Sequence, residues 1–343
     1  MTTDMNSVLQ GARPPSSTSR LSRRSWLRRM LGRREVILLI LNIAFIVVVS
    51  QLTPYFLYAP NGFANFRVMF VGMAMETIVL APMVLLLVGG MFDLSVDGVV
   101  NMTGVLTGVL LVQGVPIPIA IVSGFLAASA VGFVNGFAVT KLKMNPLMTT
   151  LGTWWIAQGI ALGAAQGIPP HTFPQAFKSL GQGDPFGITM PIWYAILLLP
   201  LAIWVLARTR FGYHIYATGG NREAARLHGV KVDRVTIVSF VLVALAAGLA
   251  GMVYAARLNS AGPQTVNGLN LRVIAGAVIG GCSLGGGEGT IWGGLLGLLF
   301  MTMLTNASIV LGVSPYWQIC ILGIVLLLAV GADALAKRRV ASG

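Results

Sequence analysis

Charge is what this chain has least of. Ten Asp and Glu and 23 Lys and Arg are spread through 343 residues, 10% of the chain against 56% apolar. So few charges cannot cover the surface of a soluble protein this long, which leaves the bilayer as solvent for most of it. Cysteine is rarer still. Cys282 and Cys320 both fall in apolar runs, which excludes a disulfide framework and a Cys-rich metal site. The histidines are His171, His214 and His228, and no His/Cys/carboxylate spacing has the form of a ligand set, so no metal is expected. The sequence G-x-x-x-x-G-K-[ST] does not occur, so the chain has no phosphate-binding loop of its own. Gly281–Gly285 matches G-x-S-x-G but lacks the strand–turn–helix context and a histidine base in the expected topology. No catalytic residue is assigned.

What is abundant is long apolar sequence. Runs of near-spanning length fall at about 36–55, 68–88, 95–113, 117–139, 146–165, 189–207, 235–256, 271–284, 289–311 and 315–334. The expected fold is therefore all-α: a polytopic membrane helix bundle of about ten spans with both termini cytoplasmic. The net charge of +13 would suggest nucleic acid in a soluble protein. Here it belongs to topology, and no nucleic-acid partner is expected. With the N-terminus inside, every basic residue except Arg67, Lys178, Arg257 and Arg272 falls on the cytoplasmic side, as the positive-inside rule requires.

Three regions follow from this count. Residues 1–34, rich in Ser, Pro and Arg, read as a disordered basic cytoplasmic tail. Residues 35–336 read as one transmembrane domain with a cytoplasmic loop at 208–234, and residues 337–343 as a C-terminal cytoplasmic tail. The first apolar run is long and no small-residue cleavage site follows it, so it reads as a retained span. The outer loop at about 166–189, rich in Pro and Gly, is too short to fold alone and reads as a cap or docking ledge.

Two places interrupt the helical pattern at membrane depth, 89–98 and 280–289. Both open with Gly-Gly, and both carry an acidic residue followed by Gly at the same offset, Asp97-Gly98 and Glu288-Gly289. Two broken or re-entrant segments in corresponding halves are the expected sign of a transport pathway, because irregular backbone at that depth must be buried in protein or face water. The candidate pathway residues are Asp93, Ser95, Asp97, Asn101, Thr153, Trp154, Glu288 and Asn306. The bland reading of Asp93, Ser95 and Asp97 is that one of them N-caps the following span. That of Trp154 is packing. Gly289, Gly293 and Gly297, like Gly104 and Gly108, form ridges of helix-packing glycines.

The basic loop at 208–234 is the most specific segment. Asn221 is placed as an N-cap, Glu223 in a first turn, Arg226 and His228 in a last turn, and Gly229 as the stop. Residues 222–228 are thus expected to form a short helix displayed to the cytosol. The candidate contact residues are Gly220, Asn221, Arg222, Glu223, Ala224, Ala225, Arg226, Leu227 and Gly229.

Together these segments resemble the permease subunit of ribose-type carbohydrate ABC importers, over about residues 36–334. The resemblance rests on Gly90-Met91-Phe92-Asp93-Leu94-Ser95-Val96-Asp97-Gly98, on Thr150–Thr153, on the loop segment Phe211–Val230, and on Ile279–Gly293 followed by Asn306 and Tyr316. It implies a membrane dimer of permease subunits, homo- or heteromeric, in the bacterial cytoplasmic membrane. It also implies a cytoplasmic ATP-binding subunit that holds ATP and Mg, an extracytoplasmic solute-binding protein, and a small sugar-like substrate. The chain itself would be no enzyme and would bind no cofactor, and residues 222–228 would be the helix that couples it to the ATPase. Many relatives carry E-L-D where this chain has Asn270-Leu271-Arg272, a departure that bears on ligand class. The alternatives are a branched-chain amino-acid-type ABC permease and an ion-coupled secondary transporter using Asp93, Asp97 or Glu288.

Overall fold

Backbone amides inside lipid have no water to bond, so long apolar runs must close their hydrogen bonds within themselves. The structure, a computed structural model, describes residues 34–57 and 62–341, and its long apolar runs are helices. The chain enters through α1 (Arg34–Leu52) and a single turn, α2 (Pro54–Leu57), and runs back along α3 (Gly62–Val88). Then come α4 (Val96–Val112), α5 (Ile117–Thr140) and α6 (Pro146–Ala165). A short helix, α7 (Gln175–Gln182), precedes α8 (Met190–Arg208), α9 (Arg210–Gly220) and α10 (Arg222–Leu227). The last four are α11 (Val232–Leu258), α12 (Leu269–Ile279), α13 (Ile291–Val310) and α14 (Pro315–Ala341). By length and composition 6 of these helices can cross a membrane, namely α1, α3, α5, α8, α11 and α13, and α4, α12 and residues 315–331 of α14 are apolar but shorter. The basic tail expected at 1–34 lies outside the described residues except for Arg34, where α1 begins. The segment read as a C-terminal tail continues α14 as helix through Ala341.

α3, α4 and α11 form the centre of the bundle, with α5 and α6 on one side and α12 and α13 on the other. Lipid supplies no hydrophobic drive between helices, so close approach of small residues has to hold them. Gly132 and Gly136 of α5 lie against the backbone of Phe240 and Ile237 in α11, and Gly104 of α4 against that of Gly251. Gly293 and Gly297 of α13 meet Gly280 and Gly276. Gly289, expected on the same ridge, stands outside α13 and packs instead on Cys282.

One expectation about a loop needs correction. Residues 210–220 are a helix rather than loop: Thr209 caps it by accepting a hydrogen bond from the Gly212 amide at 3.2 Å. The 166–189 segment contains α7, which docks on the end of α11 through fully buried Phe177 and a 3.0 Å bond from Gln182 Nε2 to the Arg257 carbonyl. α12 ends at Ile279, so the second break begins at Gly280-Gly281, inside the eighth apolar run.

Candidate functional site

The first break, between α3 and α4, is held by side chains. Asp93 Oδ1 accepts from the amide and hydroxyl of Ser95 at 2.7 and 2.6 Å. Asn135 of α5 donates to Ser95 Oγ at 3.0 Å and to Asp93 Oδ2 at 3.4 Å, and Thr153 of α6 donates to Asn135 Oδ1 at 2.8 Å. Asp93, Ser95 and Thr153 therefore belong to one buried network that ties the break to two helices.

A second network starts in the first turn of α4. Asp97 accepts from the amides of Gly268 and Asn270 at 2.6 and 2.7 Å, so it caps the N-terminus of α12 from a different helix. Asn270 Nδ2 returns a 3.0 Å bond to the Leu94 carbonyl. Ser95 occupies the N-cap position of α4 without a side-chain cap bond, so none of the three candidates caps its own helix as the bland reading expected. Asn101 donates to the Val266 carbonyl at 2.9 Å and accepts from the Val266 amide at 3.0 Å, and Gln158 Nε2 donates to the Pro263 carbonyl. Together they tie a third irregular segment, residues 259–268, to α4 and α6.

The remaining pathway candidates are dispersed. Trp154 packs against Gly98, where a Cβ would come within 2.8 Å of its ring. Asn306 exchanges two amide bonds with Asn65 of α3, at 3.0 and 2.8 Å. Glu288 sits exposed in the second break, and its backbone carbonyl accepts from the Ser283 amide at 3.1 Å. Sequence reasoning missed Asn135, Gln158 and Glu76, each a lone polar residue inside an apolar run, which is the signal that marks them. Glu76 matters most. Its carboxylate pairs with Arg272 Nε at 2.7 Å, so this cation, one of the four not expected on the cytoplasmic side, is neutralised from α3. Arg272 also edges a cavity of about 380 Å³ between α12, α13 and α14, with Thr305, Ser308 and Gln318.

The basic loop builds a different kind of site. Asn221 Oδ1 accepts from the Ala224 amide at 2.9 Å, capping α10, and Gly229 follows with φ +82°, the left-handed stop for which Gly is suited. Ala225 is buried and anchors the helix, while Glu223 and Leu227 face outward, Leu227 being 87% exposed. Arg226 bonds Asp233 at 3.1 Å, and Asp233 bonds Lys141 of the neighbouring loop at 2.7 Å. Arg222 donates to Thr236 at 3.2 Å. Burial, then the charge of Arg226, lowers the Arg222 guanidinium below its ordinary value while Asp233 opposes this; the group stays cationic. The helix is thus short, capped and tied down at both ends. Asn221→Ala should cost about 1 kcal/mol of local stability and speed hydrogen exchange of the Ala224 amide about fivefold. Unchanged protection at Ala224 would contradict the cap.

The chain as a whole is similar to known transport proteins. A family model described as "Branched-chain amino acid transport system / permease component" matches residues 64–330. The L-arabinose transport system permease protein AraH of Escherichia coli K12 is 38% identical over 289 residues, 83% of this chain and 88% of the relative. The ribose import permease protein RbsC of Escherichia coli K12 is 34% identical over 299 residues, 86% and 92% of the two chains. The autoinducer 2 import system permease protein LsrC of Escherichia coli O9:H4 (strain HS) is 38% identical over 235 residues, 68% and 69%. No solved structure matches.

Proposed function

The chain belongs to the branched-chain amino acid transport system / permease component family, and from that membership we propose that it is the membrane permease subunit of an ATP-binding-cassette importer. It resides in the bacterial inner membrane and moves a small solute of the monosaccharide class. The relatives named for L-arabinose, ribose and autoinducer 2 support that class over the amino acids of the family's description. The reading includes ten crossings with both termini cytoplasmic, supported by the placement of the basic residues. It also includes a second permease subunit, an extracytoplasmic solute-binding protein, and a separate subunit on which ATP and Mg are held, this chain carrying no cofactor.

The observation that carries the reading is α10: a capped helix fixed to the bundle by Arg222, Ala225 and Arg226, with Glu223 and Leu227 turned outward. A rod held at both ends transmits a rigid-body displacement, which a floppy loop would absorb. Residues 220–227 with Gly229 are assigned as the contact for the ATPase. Asp93, Ser95, Asp97, Asn101, Thr153 and Trp154 are assigned to the wall of the solute route, with Glu288 toward its cytoplasmic end and Asn306 toward its outer end. The cavity edged by Arg272 has the volume for such a solute. Because Asp97 is engaged by two amides and Asp93 by Ser95, an ion-coupled mechanism through them is not favoured.

In proteoliposomes, the chain alone should hydrolyse no ATP and accumulate no sugar down or against an ion gradient. Adding the ATPase subunit and binding protein should produce ATP-dependent uptake. Gradient-driven uptake without an ATPase would refute the assignment.

A further inference from the structure

Three glycine pairs that are far apart in sequence meet at one point under the bundle. They are Gly89-Gly90 after α3, Gly219-Gly220 at the end of α9, and Gly286-Gly287 in the second break. The Gly287 amide donates to the Val88 carbonyl at 2.8 Å, joining the two breaks directly. Gly219 fills the angle between them: a Cβ there would overlap the Val88 oxygen and the Gly287 nitrogen. On Gly286 a Cβ would come within 2.6 Å of Gly90 Cα and 2.9 Å of Gly219 Cα. Tyr216, one turn back on α9, donates its hydroxyl to the Gly289 carbonyl at 2.7 Å, and fully buried Ile215 lies on Gly89.

The same helix is continuous with the lever. Asn221 closes α9 by donating its amide to the Ala217 carbonyl at 3.1 Å, and opens α10 with its side chain. One residue therefore serves both helices, which leaves no slack between them.

We propose that Tyr216 and Gly219 are positioning residues of the transport step, locking α10 through α9 to both broken segments so that they move as one body. The proposal rests on the reading of α10 as the ATPase contact. Displacing α10 carries α9, and α9 carries the Val88–Gly90 and Gly286–Gly289 backbones with it. From there α3 leads up to Glu76 and α12 back to Arg272 and to the Asp97 cap, so the motion arrives at the polar centre of the bundle. Dense backbone-to-backbone packing is suited to this because it has no side-chain rotamers to absorb the displacement.

The test uses the assembled transporter, with ATPase subunit and binding protein, in proteoliposomes. ATP hydrolysis, retention of the ATPase subunit and solute moved per ATP are measured for Tyr216→Phe and Gly219→Ala. Both variants should retain the ATPase and hydrolyse ATP within about twofold of the parent. Losing one hydrogen bond should lower solute per ATP about fivefold in Tyr216→Phe; forcing the backbones apart should lower it tenfold or more, roughly, in Gly219→Ala. Tyr216→Phe keeps the ring in place and decides the matter if Gly219→Ala fails to insert. Unchanged solute per ATP in Tyr216→Phe overturns the proposal, as does a parallel fall of hydrolysis and uptake. Failure of the underlying reading looks different: the unaltered chain would retain no ATPase at all.

Discussion

Glu76→Ala should lower the stability of the purified protein by about 3–5 kcal/mol, the cost of removing one partner from a buried ion pair. Glu76 Oε1 and Arg272 Nε lie 2.7 Å apart, with side chains 10% and 22% exposed, between α3 and α12. Without the carboxylate, the guanidinium loses its ion-pair partner and keeps a bond to the Asn267 carbonyl at 3.2 Å and the field of the Asp97 carboxylate. A double variant, Glu76→Ala with Arg272→Gln, should recover much of the loss, because the guanidinium deprived of its ion-pair partner is gone as well. The measurement is the unfolding midpoint in detergent for the two variants. A double variant no more stable than Glu76→Ala would show that the loss comes from packing rather than charge.

Leu227→Asp should abolish retention of the ATPase subunit while leaving insertion and thermal stability unchanged. Leu227 is 87% exposed on α10 and contributes little to packing within the chain. An apolar side chain displayed on a tethered helix is suited to a partner's pocket, where losing a central anchor costs about 2 kcal/mol or more. That corresponds to roughly a thirtyfold weaker complex, and a buried aspartate would weaken it further. Glu223→Ala, also on the outward face, should have a smaller effect because exposed charge pairs contribute little. Full retention of the ATPase in Leu227→Asp would remove α10 from the interface.

Local signals were legible in the sequence. The apolar runs announced the long helices, and Gly89-Gly90 and Gly280-Gly281 announced where α3 and α12 stop. Asn221 and Gly229 bounded α10 to within a residue of its observed end, because caps are read from neighbours along the chain. α9 was missed although Thr209 signals its start, since its aromatic, β-branched and glycine residues have weak helix propensity and it is held by packing on α8, α3 and α11. The partners of the polar residues were not legible at all. Asp97 caps a helix that begins 172 positions later, and Asn101 satisfies Val266 at a separation of 165 residues. No periodicity carries such pairings. For the same reason the convergence of the three glycine pairs could not be seen, although each pair stands out where it occurs.

That α10 is driven by an ATPase on a separate subunit is the proposal on which the rest stands. It is tested most directly by placing a photo-cross-linking residue at position 227 in native membranes and identifying what it captures during transport. The expected product is a cross-link to a cytoplasmic ATP-binding subunit whose yield changes when ATP is bound. Labelling of position 227 by a membrane-impermeant reagent applied to the extracytoplasmic face would contradict it, as would capture of no nucleotide-binding protein.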